Sequence, residues 1–138
     1  MIRWKYFIFW LPGIAIAIVN GVIRQFIYMK YVSERSAHQF SVISFIILFG
    51  IYVWFIIPPL KLNSLREAFF TGVYWLCFTV IFEFIFGHYV MGHPWSALFN
   101  DYNIMAGRFW IVVLLWTIAA PPVMYKYRNN RMREKKYE

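Results

Sequence analysis

Residues 83–108 read E-F-I-F-G-H-Y-V-M-G-H-P-W-S-A-L-F-N-D-Y-N-I-M-A-G-R. This stretch holds two of the six acidic residues, Glu83 and Asp101, two of the three histidines, His88 and His93, and Arg108. On either side lies an apolar run long enough to cross a bilayer, which needs about 20 residues of helix. Ionisable groups within or at the rim of such a run are costly, so they face a bundle interior, a partner charge or water. The stretch is therefore the polar connection between two membrane spans.

Composition agrees. The 138 residues are 62% hydrophobic and 23% aromatic, with only 14% charged; a soluble domain carries roughly 25% charged residues. Mean hydropathy is +0.54. Cys77 is the one cysteine. No intramolecular disulfide can form, and a thiol in an apolar run reads as a small buried hydrophobe.

Four spans are expected, at about 6–27, 37–57, 65–90 and 104–125, forming an all-α four-helix transmembrane bundle over residues 1–126 with a basic cytoplasmic tail at 127–138. The first span follows Arg3 and Lys5 and contains Ala15-Ile16-Ala17, a passable signal-cleavage triplet, but its apolar character continues through Ile23, as a retained helix requires. A bend is expected at Pro12-Gly13, with Trp4 and Trp10 at one interface. Asn20 and Arg24 share a helix face, and Gly21 beside them suits close approach of another helix. Ser36 is a candidate N-cap for the second span, which Pro58-Pro59 should stop. Asn63 or Ser64 can cap the third, with Glu67 in its first turn. On that span Gly72, Leu76, Thr79, Glu83 and Gly87 approximate one face. The W-S-A-L-F segment after His93-Pro94 predicts a short interfacial helix or loop. Asp101 or Asn103 caps the fourth span, and Pro121-Pro122 predicts a kink or an early stop in it.

The net charge is +8, and six of the fourteen basic residues fall in the last thirteen positions. A polybasic segment directly after a span is attracted to anionic lipid headgroups, and no nucleic-acid-binding pattern accompanies it. With four spans both termini share a side. Arg3, Lys5, Lys61, Arg66 and the six tail residues collect there, against Arg24, Lys30, Arg35 and Arg108 opposite. The positive-inside rule then places both termini in the cytoplasm of a cell whose inner membrane holds the protein.

The outward half thus gathers Arg24, His38, Glu83, His88, His93, Asp101 and Arg108. A carboxylate at the depth of Glu83 stays ionised best beside arginine, whose planar fork binds it with two hydrogen bonds. The expected cluster is Glu83 with Arg24 and Arg108, Asn20 in support, and His88 and Asp101 adjoining. The bland reading is a pair that only sets helix register. The functional reading is a pocket for a lipid headgroup or small anion, on a transport route or otherwise. An accessory subunit of a larger membrane complex, a homo-oligomer and a lipid-modifying enzyme with Glu83 or His88 as base are the competing readings.

His38, His88 and His93 are the metal-ligand candidates. The H-x4-H spacing of His88 and His93 spans a Gly-Pro turn and lacks the i, i+4 helical pattern, so no metal or other cofactor is expected. Ser96 has no nucleophile elbow around it. F-E-F-I-F-G-H-Y-V-M-G-H-P-W and D-Y-N-I-M-A-G-R-F-W, with the Asn20-Gly21-Arg24 element, resemble small four-span prokaryotic membrane proteins of unassigned function. The resemblance implies the four-span fold and brings no site residue with it.

Overall fold

The computed structural model describes residues 4–100, 103, 105 and 110–138. Among these the chain is helical with no strand: α1 (Trp4–Tyr31), α2 (Glu34–Leu60), α3 (Leu65–Val90), the short α4 (Trp95–Asn100) and α5 (Trp110–Tyr137). All but α4 are long and apolar enough to cross a membrane. The long helices alternate in direction and close into a ring, α1 on α2, α2 on α5, α5 on α3 and α3 on α1. An even number of long helices puts the start of α1 and the end of α5 at one end of the bundle, here called the basic end.

That end is tied by Glu67. The Ser64 hydroxyl caps α3 by accepting from the Glu67 N–H at 3.1 Å, and the Glu67 carboxylate reaches back to the Asn63 N–H at 3.0 Å, a reciprocal capping box. The same carboxylate accepts from the Tyr6 hydroxyl at 2.8 Å and from Lys5 Nζ at 3.4 Å. Lys5 also donates to the Leu60 carbonyl at 2.8 Å, a cation on the C-terminus of α2. One acid thus joins the starts of α1 and α3 to the end of α2.

Prolines do not end helices here. α2 continues through Pro58 and Pro59 to Leu60 and stops at Lys61, which takes a left-handed φ of 50°. Pro58 has no N–H for the carbonyl four residues back, that of Trp54, and the Arg128 guanidinium supplies the donor at 3.0 Å. Likewise α5 runs through Pro121 and Pro122 into the basic segment as one helix to Tyr137. The Ile118 carbonyl, which Pro122 cannot serve, faces Gly72 of α3 so closely that a Cβ there would strike it. The side chain that proline needs as a substitute donor, or the glycine that admits its carbonyl, lies on another helix.

Other expectations also shift. Ser33 rather than Ser36 caps α2, because its extended backbone aims the hydroxyl at the Ser36 N–H, 3.3 Å away. Trp10 sits in the core instead of at an interface, its indole donating to Thr79 Oγ1 at 3.0 Å. Cys77 is exposed, because the buried stripe of α3 runs through Thr71, Trp75 and Thr79 and leaves position 77 outside it. The expected cap Asp101 and the start of the fourth span near 104 lie outside the described residues.

Replacing Gly72 with alanine is expected to push α3 off α5 and lower the thermal unfolding midpoint in detergent, by about 1–3 kcal/mol of stability. Gly21→Ala, whose new Cβ meets nothing within 4 Å, is expected to leave the midpoint in place. Equal midpoints for the two variants would count against this packing.

Candidate functional site

α1 and α3 are zipped together only over their basic halves. Tyr6 stacks on Tyr74 with ring centroids 5.6 Å apart, Phe7 meets Phe78 edge-on at 5.7 Å, and the Trp75 indole donates to the Tyr6 carbonyl at 2.8 Å. The Trp10–Thr79 hydrogen bond is the last rung. Beyond it α1 presents Ile14, Ala17, Ile18 and Gly21 toward α3, aliphatic or minimal side chains in place of rings, and they do not fill the space. A cavity of about 400 Å³ results, bounded by α1 and α3 and completed by His38 of α2, His93, Leu98 of α4 and Trp110 of α5.

Most of its lining is apolar, from Ile14 and Ala17 to Phe82 and Phe86; Arg24, Gln25, His38 and His93 stand toward its outer end, while Glu83 lies deeper, one turn beyond Thr79 on α3 and level with Ile14 in the α1–α3 register. From Ile14 to Arg24 the cavity follows α1 for ten residues, about 15 Å at 1.5 Å per residue. Both walls widen at that end. α1 makes an i+5-bonded turn at Arg24–Tyr28, and α3 makes another at Phe86–Val90, where the Met91 N–H reaches the Phe86 carbonyl at 2.9 Å. Such π-turns insert an extra residue and redirect the side chains around them.

The roof is local chemistry at the end of α3. Gly92 takes φ +73°, a backbone state that favours glycine, and the His93 N–H then bonds back to the Gly87 carbonyl at 2.8 Å. This reversal brings His93 over the cavity. Gly87 has room for no Cβ, since one would lie 2.7 Å from Leu98 Cδ2, so Leu98 of α4 seats directly on it. The aromatic rings of Trp95 and Phe99 hold α4 against Phe84, at 6.1 and 5.3 Å.

Arg24 and Glu83 line one cavity from different helices, together with His38 and His93. His38 is buried, 3% exposed, and its Nδ1 lies 3.4 Å from Arg24 Nη1. A guanidinium can only donate, so Nδ1 accepts and the proton of the neutral ring is on Nε2. Two expected members are engaged elsewhere. Asn20 is buried and donates to both the carbonyl and the hydroxyl of Ser41, at 2.8 Å each, locking α1 to α2. His88 lies outside the cavity, where its ring stacks on Trp95 at 3.9 Å and its Nδ1–H donates to the His93 carbonyl at 2.9 Å. It positions the turn. Arg108 and Asp101 lie outside the described residues. Gly21, expected at a close helix contact, borders open space within the cavity instead.

Among the described residues no three His, Cys, Asp or Glu side chains gather as a metal would need. The arrangement suits recognition by charge at one end and by apolar contact along its length. Compared with protein-family models, with curated proteins and with solved structures, the chain matches none of them.

Asn20→Leu removes both bonds to Ser41 without touching the cavity. It is expected to cost about 1–3 kcal/mol, the penalty for stranding buried polar groups, read as a lower unfolding midpoint in detergent. An unchanged midpoint would contradict the locking role.

Proposed function

We propose that this protein binds a membrane lipid, headgroup against Arg24 at the cavity's outer end and one acyl chain along Ile14, Ala17, Ile18 and Phe82, as a non-catalytic component of the cell membrane with both termini in the cytoplasm. The observation that carries this reading is a single cavity, lined mostly by apolar side chains, whose outer end gathers Arg24, His38 and His93. A small soluble anion would use only the charged end. The apolar remainder, about 15 Å long on the helical rise, corresponds to one leaflet of a hydrocarbon core about 30 Å thick. An acyl chain fills such a space and a small anion does not.

The roles follow from donor and acceptor chemistry. Arg24 offers a fixed fork of N–H groups to a phosphodiester oxygen. Glu83, on the opposite helix, lines the cavity below the headgroup. His93 sits at the entrance on a glycine turn, and His38 supports the orientation of Arg24. Uptake and release of such a lipid would serve a transport route.

The test uses Gly21, whose Cβ direction is open. In native mass spectrometry of gently extracted protein, the wild type is expected to retain a lipid. Gly21→Trp should keep the unfolding midpoint and lose that lipid, because the indole occupies the cavity. Arg24→Gln should weaken retention by about tenfold, the loss of one charge-assisted hydrogen bond. Undiminished retention in Gly21→Trp would overturn the reading, as would a lipid-free wild type that copurifies with a larger membrane complex.

A further inference from the structure

A second recess lies on a different face, between α2 and α5. It is a surface groove of about 420 Å³ lined only by apolar side chains, among them Ile47, Gly50, Ile51, Trp54, Trp116 and Met124. Gly50 makes it possible: a Cβ there would come within 3.2 Å of the Trp116 ring. From Ile46 to Phe55 it follows α2 for nine residue steps, about 13 Å. In a membrane this groove faces hydrocarbon, so acyl chains are its natural contents.

What distinguishes it from ordinary lipid-facing surface is its basic end. The Arg128 guanidinium carbon lies 4.8 Å from the centre of the Trp54 ring and that of Arg131, one turn further along α5, 6.0 Å. Arg128 is anchored there by the Trp54 carbonyl, which Pro58 leaves without a helical donor. Among the described residues neither guanidinium is in an ion pair. Glu134, one turn beyond Arg131, is the nearest acid along the helix. Lys126, two residues before Arg128, adds to the positive field. Two arginines on an indole, at the mouth of an acyl-sized groove, complement a negative headgroup whose chain lies in that groove.

We propose that the α2–α5 groove, with Trp54, Arg128 and Arg131 at its head, is a site for an anionic phospholipid of the leaflet at the basic end. It is separate from the α1–α3 cavity and does not depend on it. Arg128 has two duties in it, completing the backbone bonding of α2 and presenting its remaining N–H groups to phosphate. Arg131 has only the second. The two bundle ends then bind lipid differently: the cavity encloses a molecule between helices, and the groove selects one from the surrounding leaflet by charge.

Protein reconstituted in nanodiscs of mixed phosphatidylglycerol and phosphatidylcholine, released and weighed by native mass spectrometry, tests this. The wild type is expected to retain phosphatidylglycerol in preference to phosphatidylcholine. Arg131→Gln, at an exposed position that should leave the fold intact, is expected to reduce that preference about fivefold, the effect of one interfacial cation. Gly21→Trp, which fills the other cavity, is expected to leave it unchanged, so failure of one site is distinguishable from failure of the other. Equal retention of the two lipids by the wild type, or full preference in Arg131→Gln, would overturn the proposal.

Discussion

A helix carbonyl in an apolar phase has no water to turn to, and five prolines inside the long helices of this chain, Pro12, Pro58, Pro59, Pro121 and Pro122, withdraw N–H groups from five such carbonyls. Much of the tertiary arrangement answers that constraint. The Trp54 carbonyl takes its donor from Arg128, which fixes the height of α5 against α2 and parks a guanidinium on an indole. The Ile118 carbonyl lies against Gly72, which sets the closest approach of α3 to α5. Helix breakers in water, Pro58 and Pro122 act here as sockets into which a neighbouring helix fits.

The same economy of side-chain size explains why one seam closes and another opens. Where α1 meets α3 near the basic end, Tyr6, Phe7 and Trp10 face Tyr74, Phe78 and Thr79, and large rings interlock. Further along, α1 offers Ile14, Ala17, Ile18 and Gly21 instead of rings, and Phe82 and Phe86 of α3 do not close the gap. Gly72 and Gly21 illustrate the divergence. Both are glycines on helices of the same bundle; one admits a neighbouring backbone and the other borders a void. Polar groups that line the void then face an enclosed space, where an arginine has more influence on a ligand than it would in bulk water.

Several expectations read from residues alone held at the level of elements. Four apolar runs gave four membrane-length helices, and W-S-A-L-F gave the short α4. The departures share one cause. Asn20 and His88 were grouped with the charges because they are polar and nearby along the chain, yet each had a backbone or hydroxyl partner that only the fold brings close. Glu67 looked like an ordinary first-turn acid. Its bonds to Tyr6 and Lys5, some sixty residues away, make it the tie of the basic end.

Local composition therefore determined what kind of molecule this is: helical, apolar along four membrane lengths, charged at the turns and basic at one end. Those properties are summed along a single helix, and sequence reports them directly. Whether a glycine becomes a contact or a cavity, whether a proline stops a helix or receives a substitute donor, and which histidine looks inward were decided only in three dimensions. Each depends on the distance between two helices far apart in the chain, and that distance is set by the bulk of side chains elsewhere along the seam.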